Sequence, residues 1–448
     1  MKKMIDNKSF EKLDNSAVKL TVSVTPDSSK EAYNSLLAKY GKQIQIPGFR
    51  KGKVPRDVIV RKFGEGIRQE AAADLVDKAL QEVLKDAEES PISQPVLENL
   101  PEMTPGEKYE FSVTYDVFPE IKMPEYKGIE VEETQVKILK KHEDEELERI
   151  REQNAVVIDK KDGTVSKDAI VTMEYVELGE DGNALEETRR RGFAFTVGRD
   201  PHPYQVEDDI TGMKTGETKV IEKTFTDDAP PAVAGRSVKL EVRIEAVKER
   251  DLPALDDELA QDVSDDLKTL DDLRAKIKSD LKKRAADKIR ALTINAITDK
   301  LLEGAEIAVP QSMLSADLEH TWQDYVRQSG APEDTLIKAL EDAGQSKSAI
   351  MDNWKDDAAK SIKTRLIYGR IVENEKIEAS DEETAAELEK RAEEFKMSPE
   401  ELEKMFGGPQ FRSYLKNELA QKKLFDFLLE SAAVKKGEKK DYTELMEA

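Results

Sequence analysis

The 448-residue sequence predicts a multidomain α+β protein: an α+β head, a small mostly β domain, and a long, almost wholly helical C-terminal region. Three observations predict this. Length alone argues for about three domains at the usual ~150 residues each. Charge is the second: 37% of residues are Asp, Glu, Lys or Arg, with 38% hydrophobic and only 6% aromatic. Typical globular domains carry ~25% charged residues, so this balance favours long, solvent-bathed helices over one compact core. The third is a change of texture along the chain: period-two stretches dominate between 160 and 249, and helical spacing dominates from Leu252 onward.

The head is expected to span 1–118. Residues 17–24 (AVKLTVSV) alternate apolar and polar and read as a strand. Asp27-Ser28-Ser29 offers N-cap oxygens to a helix reaching about Tyr40. Pro55 suits the first turn of a second helix, expected to end near Gly64. Residues 66–89 then carry a stripe of Ala72, Leu75, Val76, Ala79, Leu80 and Val83, which predicts a further helix stopped by Pro91 and Pro95. Lys108 to Tyr115 alternates as a strand. Pro119, Pro124 and Gly128 begin a linker with a connecting helix from about Lys137 to Gln153, together spanning 119–159.

The β domain is placed at 160–249. Its strands are read at Ala169–Val176, Phe193–Val197, Glu217–Phe225 and Val238–Val247, with a turn at Asp181-Gly182. The region 250–448 opens with one long amphipathic helix over roughly 270–303, carrying Leu273, Ile277, Leu281 and Ile289. Val309-Pro310 breaks it. Helices are expected next at the Met313-to-Val326 stretch, around 333–343, 346–377 and 381–396, and in a last segment bearing Phe411, Leu415 and Phe425. The charged tail from Lys435 should fray.

Several chemistries are argued against by composition. Without cysteine there is no disulfide, thiol catalysis or thiolate metal site, which fits a reducing compartment. The start, MKKMIDNKSFEKLDNSAVKL, has no apolar run behind its basic residues, so a secretory signal is not expected. No apolar segment approaches the ~20 residues of a membrane span, and a soluble cytoplasmic protein is expected. His142, His202 and His320 fall in three different regions, which argues for surface or cap roles and no metal. No phosphate-cradling Gly-rich motif occurs, so no nucleotide and no other cofactor is expected.

One stretch concentrates positive charge. Ile46-Pro-Gly-Phe-Arg-Lys-Gly-Lys-Val-Pro55 sets two glycines and two prolines around one aromatic ring and three cations. Between Lys42 and Arg68 stand eight Lys/Arg against two acids, in a chain of net charge −23. Pro47-Gly48 and Gly52 are turn chemistry. Two readings stay open on these residues alone: a surface built to meet a polyanion, or a solubilising loop around an incidental Phe.

The surroundings of that loop favour the first reading. Gly48-Phe49-Arg50-Lys51-Gly52-Lys53-Val54-Pro55 resembles the ribosome-docking signature of the bacterial trigger factor family, Gly-Phe-Arg-x-Gly-Lys-x-Pro, at every fixed position. The order of head, β domain and helical region is similar too, as are Arg151-Glu-Gln-Asn-Ala155, Glu249-Arg-Asp-Leu-Pro253 and Val309-Pro310, so the resemblance covers the whole chain. It implies an ATP-independent chaperone docked on the large ribosomal subunit near the exit tunnel. Gly48, Phe49, Arg50, Lys51, Gly52, Lys53 and Pro55 would carry the contact, to ribosomal protein and ribosomal RNA. Unfolded nascent polypeptides would be the clients, with neither DNA nor membrane as partner. A homodimer off the ribosome is left open.

The same resemblance implies that 160–249 is an FKBP-like prolyl isomerase domain. Tyr175 and Phe195 fall where the family places pocket aromatics, and Ile210 and Phe225 belong to the same implied pocket. Val206 stands where an aromatic floor is expected, and Leu240 replaces a Phe. Pro203-Tyr-Gln-Val206 replaces Ile-Pro-Gly-Phe, and Thr226-to-Pro230 lacks an aromatic flap residue. Two readings follow, an isomerase of weakened pocket or an inactive β domain with ordinary core aromatics. A holding chaperone also needs exposed apolar side chains amid charge. The candidates are Met313, Leu314, Trp322, Met351, Trp354, Met405 and Phe406, although most apolar residues at helical spacing are packing core. The competing whole-chain readings are a prolyl isomerase served by helical arms, and a basic-loop ribosome- or RNA-binding structural protein.

Overall fold

The computed structural model describes residues 4–50, 52–98, 100–179, 181–200, 202–226 and 233–447. The chain divides into two compact units: residues 1–133 with 292–436, and residues 134–291 with 437–448.

In the first unit, alternation in Ala17–Val24 turns Leu20, Val22 and Val24 to one face of an antiparallel sheet. Its neighbours are Ile5–Lys12 on one side and Tyr109–Asp116 on the other, with Val96–Leu97 beyond. Ile5–Lys12 escapes prediction because seven of its eight side chains are exposed. Only its ladder with the next strand makes it a strand. The helices Pro26–Gln43 and Arg56–Lys85 pack against the same core. Thr25, not the Asp27-Ser28-Ser29 group, caps the first helix, by accepting a hydrogen bond from the Ser28 amide.

The second helix is continuous where a break near Gly64 was expected. Neither Gly64 nor Gly66 takes a positive φ. A helix-interior glycine costs about 1 kcal/mol. The buried stripe Ile59, Ile67, Ala71, Leu75, Val76, Ala79 and Val83 outweighs that, at ~1.5–3 kcal/mol for each large side chain removed from water.

Leu388, Ala392, Leu402, Phe411 and Leu415 pack as one cluster of this unit, and three of its long helices build another core. Val131, Ile297, Leu301, Ile307, Ile367, Ile371, Leu424 and Leu428 form it, with Ile121 and Tyr126 packed at its edge. Glu306–Ile307 pairs with Ile121–Lys122, and the Ser312 amide donates to the Asp116 carboxylate at 2.7 Å. The stretch read as one helix over 346–377 is two, Lys347–Asn353 and Lys355–Glu375, parted at Trp354. A helix not foreseen, Pro399–Met405, is started by Ser398 and Glu401 satisfying each other's backbone amides.

In the second unit a five-stranded antiparallel sheet runs in the order Thr218–Thr224, Ser237–Asp251, Ile170–Leu178, Arg190–Thr196, with Val156–Asp159 paired to the end of the long strand. A separate cluster joins Leu147 of the helix Lys140–Gln153 to Leu259, Leu267, Leu273, Ile277 and Leu281.

The tail does not fray. Residues Ala433–Asp441 form a strand and Tyr442–Glu447 a helix whose Leu445 is fully buried. Lys435 pairs with Glu130 at 2.6 Å in the first unit. In the second, the Asp441 carboxylate meets Lys141 at 3.1 Å and His142 Nε2 at 2.9 Å. His142 is therefore buried, and of the surface or cap roles expected for it, it takes the cap role at the start of the helix Lys140–Gln153. Its Nδ1 accepts from the Leu139 amide, so both ring nitrogens are bonded and burial is tolerated.

Candidate functional site

The basic loop joins the two helices of the head and is built from consecutive tight turns. The Phe49 amide donates to the Ile46 carbonyl at 3.1 Å, with Pro47 and Gly48 as the central pair. Gly48 at φ 92° in the third position gives the type II turn that Pro-Gly favours. A second turn follows, in which the Lys53 amide donates to the Arg50 carbonyl at 2.9 Å and Gly52 sits at φ 76°. Ile46 is buried and Val54 packs on the head core, anchoring both ends of the loop. Phe49 is 39% exposed between them. Arg50, Lys53 and Pro55 are exposed, and Arg50 and Lys53 make no ion pair with any described residue. Lys51 lies outside the described residues. The turns thus present a ring and cations to solvent between the two helices of the head.

In the β domain all six residues named for the pocket, Tyr175, Phe195, Val206, Ile210, Phe225 and Leu240, are buried in one cluster. The side chains nearest the Tyr175 ring went unnamed in the sequence. Phe193 lies edge-on at 5.7 Å, Tyr204 at 5.6 Å and His202 at 5.0 Å between ring centroids. Phe193 was legible: it stands two residues before Phe195 on one strand, hence on the same face. His202 was not, since a surface or cap role was inferred from its isolation in sequence. It is 1% exposed, ringed by Phe193, Tyr175, Phe195 and Tyr204. Burial pushes its pKa down to about 4, with nearby Glu207 opposing.

Beside the cage, the Tyr204 hydroxyl donates to the Glu177 carboxylate at 2.6 Å, and Arg236 reaches the other Glu177 oxygen at 2.8 Å. Burial and that bond push the Tyr204 phenol well above its ordinary value. The cage offers aromatic rings largely shielded from solvent, which suits binding a small apolar ring. The positions 227–232, which include most of the missing-flap stretch, lie outside the described residues.

The helical candidates separate by exposure. Trp322 is fully buried, its indole N–H donating to Glu333 at 2.6 Å and its face covered by Lys347 at 4.9 Å. It is packing core and offers no surface. Met313, Leu314, Met351 and Trp354 are half-buried. Trp354 meets the exposed Tyr325 edge-on at 5.7 Å. Met405 and Phe406 are 61% and 49% exposed. They stand in a run of rings the sequence reading did not assemble: Phe395, Phe406, Phe411 and Tyr414, with successive centroids 6.2, 5.2 and 6.3 Å apart. Phe395, Phe406, Phe411 and Tyr414 line an open groove of about 520 Å³. A larger groove, about 1100 Å³, is lined by Thr298, Asp299, Lys360, Thr364, Tyr368 and Gln421 among others.

Comparison with known proteins gives the family. Residues 7–150 match the family model described as bacterial trigger factor protein, and residues 269–430 match the model for its C-terminus. The chain is 37% identical to the trigger factor of Treponema denticola, over 97% of each chain. The chain belongs to the trigger factor family. It is also 32% identical to the trigger factor of Borreliella burgdorferi over 99% of each chain. With that of Geobacillus kaustophilus it shares 31% identity, over 95% of this chain and 99% of the relative. A solved trigger factor chaperone structure aligns with 94% of this chain and 99% of its own at 22% identity and a TM-score of 0.48.

Membership makes the protein a ribosome-associated chaperone acting in protein folding. Among the described residues, no helix is long and apolar enough to cross a membrane. No group of three or more His, Asp or Glu side chains among them is arranged to hold a metal ion.

Proposed function

We propose that this trigger factor docks on the large ribosomal subunit beside the exit tunnel through the two-turn loop of its head. There it holds emerging unfolded polypeptides, without a nucleotide cycle, on apolar surface of the helical region. One observation carries the docking: Phe49, exposed on paired turns between cations, in a chain whose remainder is strongly acidic. Arg50, Lys51 and Lys53 supply charge for phosphates and acidic side chains, and Phe49 supplies an apolar anchor. The acidic excess elsewhere keeps the protein off nucleic acid in general, so the loop sets where it binds.

Replacing Phe49, Arg50 and Lys51 with alanine tests this. Co-sedimentation with ribosomes should be lost while the melting temperature stays, since the loop tip buries little. Retained co-sedimentation would remove the loop from the interface.

For client holding we favour the aromatic run Phe395, Phe406 and Tyr414 with Met405. Rings and a flexible thioether adapt to many sequences. The β domain supports a second activity, prolyl isomerisation, favoured by the aromatic cage around Tyr175. A proline-limited refolding assay tests it, and a rate no faster than buffer would leave only the chaperone.

A further inference from the structure

We propose that His202 is an intramolecular occupant of the β domain's proline pocket, and that the pocket takes an X–Pro segment by exchanging it for this imidazole. The inference rests on the isomerase reading of the cage and adds what governs access to it.

The geometry is that of a bound guest. Imidazole is a five-membered ring, like the pyrrolidine of proline. Four aromatic rings surround it, with centroids at 4.9 Å (Phe193), 5.0 Å (Tyr175), 5.3 Å (Phe195) and 5.8 Å (Tyr204). The Phe193 and Tyr175 rings stand nearly perpendicular to it, at 85° and 82°. A native core normally fills such a cage with an apolar side chain. Here the guest is a polar ring that is only half satisfied. Nδ1 accepts from the Tyr204 amide at 3.2 Å, whereas the buried Nε2 has no hydrogen-bond partner among the described residues. A nitrogen in that condition has given up water without replacement.

Exchange therefore has a direction. Withdrawing His202 returns Nε2 to water, and a prolyl ring, which has no N–H of its own, meets the same aromatic rings without stranding a polar atom. Burial holds the imidazole neutral, so no charge has to be moved when it leaves at neutral pH. The ring is carried on a short segment with local strain. Gln205 holds φ at 47°, in the left-handed region that L side chains avoid. The segment is tied back by the His202 amide donating to Glu207 at 2.7 Å.

A self-occupied pocket lowers apparent affinity by its free fraction. A seat filled nine-tenths of the time or more masks at least ~10-fold. The test uses the full-length chain and a chromogenic Ala-Phe-Pro-Phe tetrapeptide. His202→Ala should isomerise it at least ~10-fold faster at subsaturating peptide, chiefly through KM, and His202→Phe, a larger fixed plug, should be slower than wild type. A folded His202→Ala protein no faster than wild type overturns the proposal and leaves the pocket standing.

Should His202→Ala fail to fold, histidine ring NMR of the wild type decides. On peptide saturation the His202 resonances should move to those of a solvated imidazole. Peptide bound with those resonances unchanged overturns the proposal. If none of the three proteins binds or isomerises the peptide, the isomerase reading itself fails, and His202's role with it.

Discussion

Two buried imidazoles in this chain are treated differently, and the difference has a pH signature. His142 is bonded at both nitrogens, whereas His202 is bonded at one and driven by burial to a pKa of about 4. An unfolded histidine titrates near 6.5. Between those values the unfolded chain binds the extra proton, so stability is complete above pH 6.5, declines as pH falls toward 4, and levels off below. At ~1.4 kcal/mol per unit the loss is roughly 3 kcal/mol. His202→Leu should remove that component. Urea midpoints of the β domain at pH 7.5 and 4.5 in both proteins measure it, and equal pH slopes would contradict the assignment. Burial also ranks the helical candidates. Trp322→Ala removes a fully enclosed ring and should cost about 3–5 kcal/mol. Met405→Ala and Phe406→Ala should stay within ~0.5 kcal/mol of wild type yet weaken suppression of aggregation of an unfolded client. Denaturation and light scattering on the same three proteins separate the two roles.

Among elements, the C-terminal helix is tied down at its start by one carboxylate. Burial would raise the pKa of Asp441, but hydrogen bonds from Lys141, the Thr443 amide and His142 hold it at about 2. A depressed carboxylate stabilises fully above its unfolded value of ~3.9 and ceases to as pH falls through the folded one. The segment 442–447 should thus stay protected from hydrogen exchange at pH 5 and open between about 4 and 2. Asp441→Asn should open it at neutral pH while strand 17–24 keeps its protection. The same elements mark where sequence patterns stop being readable. Alternation gave Ala17–Val24 and Tyr109–Asp116 because one face of each is core. Ile5–Lys12 and the tail strand lack such a face and exist by pairing. Pro47-Gly48 was readable as a turn because only local geometry decides it. His202 was not, because its burial is set by Tyr175 and Phe193 on distant strands.

For the whole molecule, the pairing of the β domain's first and last strands matters most. Val156 lies opposite Asp251 in one ladder, and Asp159 opposite Lys248, so the sheet's pairing runs past the expected 160–249 to 156 and 251. The chain enters and leaves the domain at neighbouring positions. Its core, from Val165 to Val247, is a cluster of its own. Excising 156–251 and closing Ala155 to Leu252 with a short Gly-Ser joint should therefore leave the other cores intact. The cut removes the Glu152–Arg199 ion pair at 2.9 Å, whose partners are both exposed, and such pairs contribute little. The Arg151 bond to the Pro253 carbonyl at 2.7 Å survives and helps hold the joint. The shortened protein should co-sediment with ribosomes and suppress aggregation of an unfolded client as the full chain does. It should lose any acceleration of proline-limited refolding, because the cage rings Tyr175, Phe193 and Phe195 leave together. A folded deletion that no longer suppresses aggregation would instead place client handling in the β domain and make the helical region its delivery arm.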